Sequence, residues 1–444
     1  MADRETDYDP AAEVVGICSD LIGIDTSNFG DDSGPGERKA AEHVAALLDE
    51  VGIEMRLVES ESGRASLIGR WGGSETGAGG APVLLHGHLD VVPAAAEDWS
   101  VAPFAGEVSD GPDGPTVWGR GAVDMKDFDA MLLSVIRARA RAGAVPTRPL
   151  VLCFTADEEA GGALGAGFLA REHRDAFEGC TTAVGEVGGF STTVRGRRLY
   201  LIQAAEKGMA WTRLTARGTA GHGSMRNPDN AVSRLTAAVA RIGAHTWPVR
   251  LTPTMEVLLA AVAELAGTDA TPENAEALVE EFGPAARMLG AVIRNTANPT
   301  MLQAGYKVNV VPSEATARID GRFLPGYEDE FWDTLAALAG PDIEIGRDVA
   351  MPATETDFTG DVAAAITASL LAEDPDALVA PYLMSGGTDA KYWTALGMKS
   401  FGFAPLRLPE DLDFTALFHG VDERVPVASL EFGARVFDRF LGLL

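Results

Sequence analysis

Cysteine is scarce in this chain. Three cysteines, Cys18, Cys153 and Cys180, occur in 444 residues, and they are odd in number and widely spaced. No two of them form the CxxC spacing that redox-active and zinc-binding cysteines share. The sequence therefore argues against a disulfide framework and against a metal site built from cysteine.

Basic residues are also few. Lys and Arg total 36 against 65 Asp and Glu, which gives a formal net charge of -29. Such a charge repels the phosphates of nucleic acids and anionic lipid head groups, so we expect neither nucleic acid nor a membrane surface as a partner. Solubility, or adaptation to the ionic conditions of the host, explains the charge more simply than the attraction of cationic substrates.

Long apolar runs are missing as well. The N-terminus, "MADRETDYDPAAEVV", has no basic stretch followed by an apolar one, and no apolar run approaches the length that spans a bilayer. We therefore expect a cytoplasmic protein. With 46% hydrophobic residues the chain can still bury a large core, and its length predicts two domains.

Helical and strand patterns alternate from residue 11 to about 205. The runs "APVLLHGH", "PLVLCFTAD" and "TTAVGEV" are apolar throughout, which is typical of strands buried on both faces of a mostly parallel sheet. From about 206 to 350 the order becomes strand, helix, two strands, helix, strand, with the two strands in "YKVNVVPSEATARIDGRF" and a helical insertion near 250–300. This order predicts a split βαβ, ferredoxin-like α+β domain.

From about residue 351 the helix and strand alternation returns. The predicted fold class is therefore α/β, a mostly parallel sheet flanked by helices, with the α+β domain inserted into it. The predicted boundaries are 1–206 and 351–444 for the two segments of the first domain and 207–350 for the inserted domain.

Polar residues end the first apolar run. In "LLHGHLDVVP", residues 84–93, His88 and Asp90 are two apart, so both side chains point to one face of an extended chain. The carboxyl ends of strands are where open α/β sheets bind ligands. Taken alone, a histidine at this position is more often structural.

Acidic residues follow the other runs. Asp124 lies in the glycine-flanked "WGRGAVDMKD", where an aspartate usually caps a helix. "FTADEEAGG" places Asp157, Glu158 and Glu159 directly after a strand, and "AVGEVGG" does the same with Glu186. Neighbouring acids repel one another unless a cation neutralises them or solvent screens them, so a solvated acidic loop is the simpler alternative.

The few histidines favour a cation. Seven occur in the chain, and His419 in "LFHGVDERVP" and His222 in "GTAGHGSMRNPDN" fall in similar turns. Carboxylates gathered from separate loops into one dry pocket would be forced to protonate unless divalent cations were bound. A pair of metals with mixed nitrogen and oxygen ligands is the economical solution.

Seven motifs in this order, "HGHLDVVP", "GRGAVDMK", "TADEEAGG", "GEV", "GHGS", "SGGTDA" and "FHGVDERVP", closely resemble the M20 family of dizinc metallopeptidases and amidohydrolases. That family includes carboxypeptidases, dipeptidases, aminoacylases, acetylornithine deacetylases and succinyl-diaminopimelate desuccinylases. The resemblance implies two Zn²⁺ ions, with Co²⁺ or Mn²⁺ as substitutes.

The resemblance also implies a role for each matching position. The implied ligands are His88 and Glu186 for one zinc, Glu159 and His419 for the other, and Asp124 as the carboxylate that bridges both. Glu158 matches the general base, and Asp90 matches the acid that orients His88. His86 occupies a position that the family does not use as a ligand, and Asp157 is interpreted as a strand-end acid that supports the turn.

The inserted domain of the family acts as a lid and forms a homodimer. The histidine that matches His222 polarises the scissile carbonyl or stabilises its oxyanion, often across the dimer interface. Asn309 and Arg322 resemble lid residues that hold the substrate carboxylate, a task that suits the bidentate pairing of arginine. A structural ion pair of Arg322 with Asp320 or a nearby acid is the alternative.

Glycines and departures from the family pattern complete the candidate site. Gly386 and Gly387 in "SGGTDA" are expected to let the backbone approach the ligand closely. Asp127 stands where the family commonly has glycine, and either alters the helix start or caps it. Gly223 replaces the more usual serine after the lid histidine.

The predicted function is hydrolysis of an amide next to a free carboxylate, as a carboxypeptidase or dipeptidase acting on small peptides. An N-acyl amino acid amidohydrolase of the aminoacylase or deacetylase type is the alternative, because it cuts the same kind of bond. An inactive relative that acts as a binding protein is more remote, since Glu158 and the ligand set are intact. The glycines of "GGALGAG" and "GSETGAGG" match neither a dinucleotide loop nor a phosphate loop, because acids precede the first and the second lacks the essential Lys.

Overall fold

The computed structural model describes residues 8–31, 33–73 and 79–444. Residues 74–78, in the middle of the loop predicted at 71–80, and the first seven residues of the N-terminus lie outside the described ranges. Within those ranges, none of the helices combines the length and the apolar character needed to cross a membrane. The cytoplasmic location stays a prediction.

Helices and strands are numbered in chain order. The helices are α1 (Val14–Ile22), α2 (Arg38–Asp49), α3 (Lys126–Arg141), α4 (Ala166–Glu172), α5 (Ala231–Ala244), α6 (Pro253–Ala266), α7 (Ala275–Glu280), α8 (Ala286–Gly290), α9 (Glu328–Ala339), α10 (Asp361–Glu373), α11 (Ala390–Ala395) and α12 (Val427–Leu443). The first strands are β1 (Met55–Glu59), β2 (Ala65–Trp71), β3 (Val83–His88), β4 (Glu107–Gly111), β5 (Gly114–Trp118), β6 (Leu150–Thr155), β7 (Thr182–Gly185), β8 (Phe190–Val194), β9 (Arg197–Glu206) and β10 (Gly208–Arg217). The remaining strands are β11 (Gly221–His222), β12 (Thr296–Ala304), β13 (Val310–Val311), β14 (Glu314–Phe323), β15 (Ile343–Met351), β16 (Thr354–Glu355), β17 (Leu378–Met384), β18 (Lys399–Gly402) and β19 (Arg424–Pro426).

The large sheet has the order β1-β2-β6-β3-β7-β18-β9-β16, with β8 and β17 also paired to β9. At its centre β6, β3, β7 and β18 run parallel, and β17 runs parallel to β9. Antiparallel strands extend the sheet on both sides of this centre. The predicted α/β fold class is confirmed.

Both faces of the central strands are buried, as their continuous apolarity predicts. On one face Leu84 and Val151 pack with Trp393 of α11. On the other face Leu85 and Leu152 join the larger core, to which α3 and α12 also contribute. Polar side chains can therefore reach solvent only where these strands end.

The second sheet is antiparallel, with the order β12-β14-β10-β15. Helices α5 and α9 cover one of its faces, where Leu214 and Ile319 pack against Leu235 and Phe331. The chain order β10, α5, β12, β14, α9, β15 is the predicted split βαβ plan.

Two details of that region differ from the prediction. In the second sheet, the strand that precedes β14 along the chain is β12, at Thr296–Ala304. Of the first of the two strands predicted in residues 306–323, only Val310–Val311 forms a strand, which is short and pairs with β11. Moreover, helices α6 to α8 pack into the core of the large sheet, where Met255 and Leu259 lie, and α6 contacts β17. The segment predicted as an insertion into the second domain thus packs on the first.

Candidate active site

Three neighbouring parallel strands deliver the predicted site residues to one edge of the large sheet. His88 is the last residue of β3, Glu158 and Glu159 follow β6, and Glu186 follows β7. Since β6, β3 and β7 are adjacent and parallel, their carboxyl ends lie side by side. Asp124 lies two residues before the first residue of α3, and His419 lies in the loop before β19.

The first cluster gathers His88, Asp124 and Glu186. The Nε2 atom of His88 lies 3.1 Å from Oδ1 of Asp124 and 3.3 Å from Oε2 of Glu186. All three side chains are buried or nearly so. Their ligand atoms lie close enough together to share one metal ion.

The second cluster gathers Asp124, Glu159 and His419. The Nε2 atom of His419 lies 3.2 Å from Oδ2 of Asp124 and 3.1 Å from Oε2 of Glu159. Asp124 thus turns one carboxylate oxygen toward each histidine. The structure therefore brings together the five residues predicted as ligands, which we call the ligand cluster.

The hydrogen-bonding pattern of His88 fits a cation. Its Nδ1 atom lies 2.9 Å from the main-chain oxygen of Asp90, which can only accept, so Nδ1 carries the proton of a neutral ring. In a neutral ring the lone pair of Nε2 faces the oxygens of Asp124 and Glu186, an arrangement that repels unless a metal cation lies between them or a second proton binds Nε2. Imidazole nitrogen and carboxylate oxygen are donors that divalent zinc, cobalt and manganese accept.

Protons and metal ions compete for the ligand cluster. Hydrogen bonds with Asp124 and Glu159 raise the pKa of His419 to about 10. Burial raises the pKa of Glu186 to about 7, although the nearby His88 opposes the shift. Both pKa shifts arise because carboxylates are crowded into a site of low polarity. A divalent cation neutralises such a site more fully than a single proton does.

Glu158 lies beside the ligand cluster, with its Oε2 atom 4.0 Å from Nε2 of His88. Its side chain lines the cavity described below. Burial, and after it the negative charge of Glu186, raise the pKa of Glu158 well above its usual range.

Asp90 holds the turn that carries the two glutamates. It is fully buried, and its carboxylate accepts hydrogen bonds from the backbone N–H of Glu158, at 3.0 Å, and of Glu159, at 3.1 Å. The carboxylate lies 3.6 Å from Nδ1 of His88, farther than the main-chain oxygen of the same residue. Asp90 therefore orients His88 through its backbone and the glutamates through its side chain.

Asn28 is a site residue that the sequence patterns did not indicate. Its buried amide nitrogen donates to Asp90, at 2.9 Å, and lies 3.4 Å from Asp157, while its oxygen accepts from Arg64 at 2.9 Å. Asp157 in turn accepts from the backbone N–H of Leu164, consistent with its predicted support of the turn. No motif spacing signals Asn28, because it lies 62 residues before Asp90 in the chain.

A cavity of about 830 Å³ opens over the ligand cluster. Gly386 and Gly387 line it, together with Lys391. Arg322 also lines it, but its guanidinium is already paired with Asp320 at 2.7 Å, the alternative foreseen from the sequence.

Arg287 of α8 is a second guanidinium in the cavity wall, and sequence reasoning missed it. It forms no ion pair within the part of the chain that the structure describes. No motif surrounds it, so only the packing of α8 against the large sheet reveals its place.

His222 and Asn309 lie outside the cavity. Both are exposed. They neighbour one another because β11 pairs with β13 and the backbone N–H of Gly223 donates to the main-chain oxygen of Asn309. A Cβ atom at Gly223 would lie 3.2 Å from the backbone of Asn309, so glycine suits this close approach. A single chain therefore does not bring these two predicted residues to the ligand cluster.

Two further sequence interpretations can be compared with the structure. His86 is buried against Trp393, with ring centroids 5.6 Å apart, and burial lowers its pKa to about 3, in keeping with a structural residue. Asp127 lies within the first turn of α3 rather than at its cap, and burial raises its pKa well above the usual range.

The sheet architecture and the clustered ligands define a metal-dependent hydrolase. The profile of the family described as Peptidase family M20/M25/M40 matches residues 84–442, and the chain belongs to this family. The resemblance read from the seven motifs is confirmed.

Known proteins of this kind are similar over most of the chain. It is 27% identical over 390 residues to the probable carboxypeptidase S-like 2 of Dictyostelium discoideum, which covers 82% of this chain and 71% of that protein. It is 27% identical over 373 residues to the N-fatty-acyl-amino acid synthase/hydrolase PM20D1 of Homo sapiens, covering 79% and 71%. The M20 family metallo-carboxypeptidase Sso-CP2 from Sulfolobus solfataricus shares the fold, with a TM-score of 0.70, 17% identity, and coverage of 97% and 99%.

Proposed function

We propose that the protein hydrolyses an amide bond next to a free carboxylate, as a dizinc carboxypeptidase or dipeptidase acting on small peptides. The observation that carries this proposal is the pair of histidine and carboxylate clusters joined by Asp124, with Glu158 beside them. The similarity to a probable carboxypeptidase S-like protein and to a metallo-carboxypeptidase supports the choice of bond.

We assign one metal ion to His88, Asp124 and Glu186 and the other to Asp124, Glu159 and His419. Zn²⁺ suits these donors, and Co²⁺ or Mn²⁺ would substitute for it. Such ions, when bound, polarise a carbonyl and make water more acidic.

Glu158 is the general base in this proposal. Its carboxylate lines the cavity beside the ligand cluster, where it is placed to accept a proton from the attacking water. The same carboxyl group then returns the proton to the nitrogen of the leaving amine. Asp90 positions Glu158 by accepting the hydrogen bond from its backbone N–H.

The substrate carboxylate is assigned to guanidinium groups in the cavity wall, Arg322 as predicted and Arg287 in addition. Arginine suits this task because its planar fork pairs with both carboxylate oxygens. Gly386 and Gly387 line the same cavity and form part of the proposed substrate site.

We further propose a homodimer in which the second copy supplies His222 and Asn309. Both side chains are exposed and lie away from the cavity of their own chain. Residues 298–304 of β12, at the edge of the second sheet, are exposed as well, and an unpaired edge strand favours association with another chain. In the partner's site, His222 would stabilise the oxyanion and Asn309 would contact the substrate.

An N-acyl amino acid is the second candidate substrate. The cavity is lined by several methionines, among them Met209, Met288 and Met351, and this lining suits an aliphatic acyl group better than a polar peptide. Similarity to a protein named as an N-fatty-acyl-amino acid synthase/hydrolase supports the same alternative.

The test is a substrate screen of the purified protein. Chelation should abolish hydrolysis, and reloading with Zn²⁺, Co²⁺ or Mn²⁺ should restore it on dipeptides or N-acyl amino acids. Elemental analysis should find two ions per chain, and Glu158→Ala should bind them without turnover. Full turnover by that variant would overturn the assigned mechanism, and a metal-loaded protein inert toward every substrate would favour the inactive binding protein.

A further inference from the structure

One face of the second sheet carries apolar side chains that belong to no core. Met209 lies opposite Met351 across β10 and β15, and Trp211 lies opposite Val349. Successive side chains of a strand alternate between faces. Ala210, which lies between Met209 and Trp211 in β10, packs with α5 and α9 on the other face. We call Met209, Trp211, Val349 and Met351 the apolar roof.

The apolar roof lies over the ligand cluster. Its four residues line the same cavity as Asp124, Glu158 and His419. Met351 lies next to the loop that carries Glu158 and Glu159. A Cβ atom added at Gly161, two residues after Glu159, would lie 3.1 Å from Cε of Met351.

Apolar side chains from the first domain extend this surface. The cavity wall opposite the second sheet includes Val187, Met288, Met384 and Phe418. These side chains pack at the margin of the larger core and turn a part of their surface to the cavity. The cavity is thus polar at the ligand cluster and largely apolar elsewhere.

Folding alone does not account for the apolar roof. A sheet face that does not join a core usually carries polar side chains, yet Trp211 is 45% exposed. Apolar surface that folding leaves open marks a binding site, and methionine side chains adapt to flexible aliphatic chains. The roof covers two residues along β10 and two adjacent strands, a strip of about 7 Å by about 5 Å.

We propose that the apolar roof binds the acyl chain of N-acyl amino acids, so that substrates with linear aliphatic acyl chains are preferred over acetylated amino acids and small dipeptides. This inference rests on the proposed amide hydrolysis at the ligand cluster, and of the two candidate substrates of that site it selects the N-acyl amino acid over the small peptide. Its occupant is the acyl chain because the roof continues directly from the reacting groups, and a single amino acid side chain would leave most of the cavity unfilled.

The first experiment compares N-acyl derivatives of one amino acid, from acetyl to decanoyl, with the Zn²⁺-loaded protein. Burial of each added methylene should raise kcat/KM, so that the decanoyl substrate exceeds the acetyl substrate by at least about tenfold. The double variant Met209→Gln/Met351→Gln keeps the side-chain length but adds polar groups to the roof, and should lower the decanoyl-to-acetyl ratio by about tenfold. Val145→Thr, at an exposed apolar position in the loop before β6, is the control and should keep the ratio.

The second experiment measures binding without turnover. Decanoate, the acyl product, should change the tryptophan fluorescence of the protein when its chain contacts Trp211. Trp211→Phe should remove that change, although six other tryptophans remain. This readout is independent of catalysis and survives a loss of activity.

The outcomes separate the two proposals. Failure to hydrolyse any N-acyl amino acid or dipeptide, with two metal ions bound, overturns the proposed function and this inference with it. Hydrolysis with a ratio that stays flat with chain length, or that the roof variant leaves unchanged, overturns the apolar roof alone. A preference that follows the size of the amino acid side chain instead of the acyl chain does the same.

Discussion

The two walls of the cavity are built in different ways. The ligand cluster lies on loops at the edge of the large sheet, where buried polar partners such as Asp90 hold each group in place. The apolar roof lies on strands of the second sheet, and among the residues that the structure describes its side chains make no comparable hydrogen bonds. Chemistry that needs fixed distances is thus assigned to the first wall, and selection among substrates, which tolerates adaptable contacts, to the second.

The largest effect is expected when Glu158, the proposed general base, is replaced. Glu158→Gln should lower kcat by a factor of about 10² to 10⁴, because the amide cannot accept the proton from water. Metal content, measured by elemental analysis, should stay at that of the unaltered protein. A variant with normal kcat would move the base elsewhere.

His222 tests whether a second copy of the chain takes part in the chemistry. His222→Ala should lower kcat by a factor of about 10² to 10³ through the loss of one oxyanion contact. Mixing this variant with Glu158→Gln and allowing the subunits to exchange should restore roughly a quarter of the normal activity, since a hybrid dimer holds one complete site. Mixtures that stay inactive would place His222 in its own subunit's site.

Glu423 tests the rigidity of the first wall. It is fully buried, pairs with Arg120 at 2.6 Å, and accepts the backbone N–H of Val123, next to Asp124. Glu423→Ala leaves the guanidinium buried without its partner and should lower the free energy of unfolding by about 3 to 5 kcal/mol in a denaturant titration.

The matched control for that substitution lies on the second sheet. Glu314→Ala removes an exposed ion pair with Arg217, and such pairs contribute little. Equal losses of stability in the two variants would contradict the contrast between the two walls.

The smallest expected effect concerns which wall holds the substrate carboxylate. Arg287→Ala should raise KM by about tenfold with little change in kcat, because a charged hydrogen bond to the substrate is lost. Arg322→Ala should raise KM less, since Asp320 already pairs with that guanidinium. Neither substitution should change KM for the carboxamide analogue of the substrate. If Arg322→Ala raised KM more than Arg287→Ala does, the substrate carboxylate would be assigned to the second sheet.

The large sheet and the positions of the ligand cluster could be predicted from the sequence for a physical reason. Strands buried on both faces are apolar throughout, so the polar residues that follow them stand out, and neighbouring parallel strands end at one edge. His88, Glu159 and Glu186 were found in this way. Their assignment to particular metal ions stays a prediction that the metal analysis tests.

Other parts of the site depend on contacts that no local pattern records. The apolar roof exists because β10 and β15 pair in one register. This register places Met209 beside Met351, although the two residues are far apart in the sequence. Strand β12 was not predicted because it contains Pro299 and its polar and apolar residues do not alternate, and an edge strand tolerates both features. Asn28 was missed because a buried amide has no characteristic spacing.

In the proposed two-metal site, the carboxylate of Asp124 faces both ions and would make their occupancies interdependent. Ordering this side chain for one cation also orders it for the other, so the conformational entropy of that residue is lost only once. The first cation therefore prepares the site of the second, and linkage requires that the second strengthen the retention of the first by the same factor. Through this single residue, gradual chelation is expected to yield mainly empty and fully loaded molecules, with few that hold one ion.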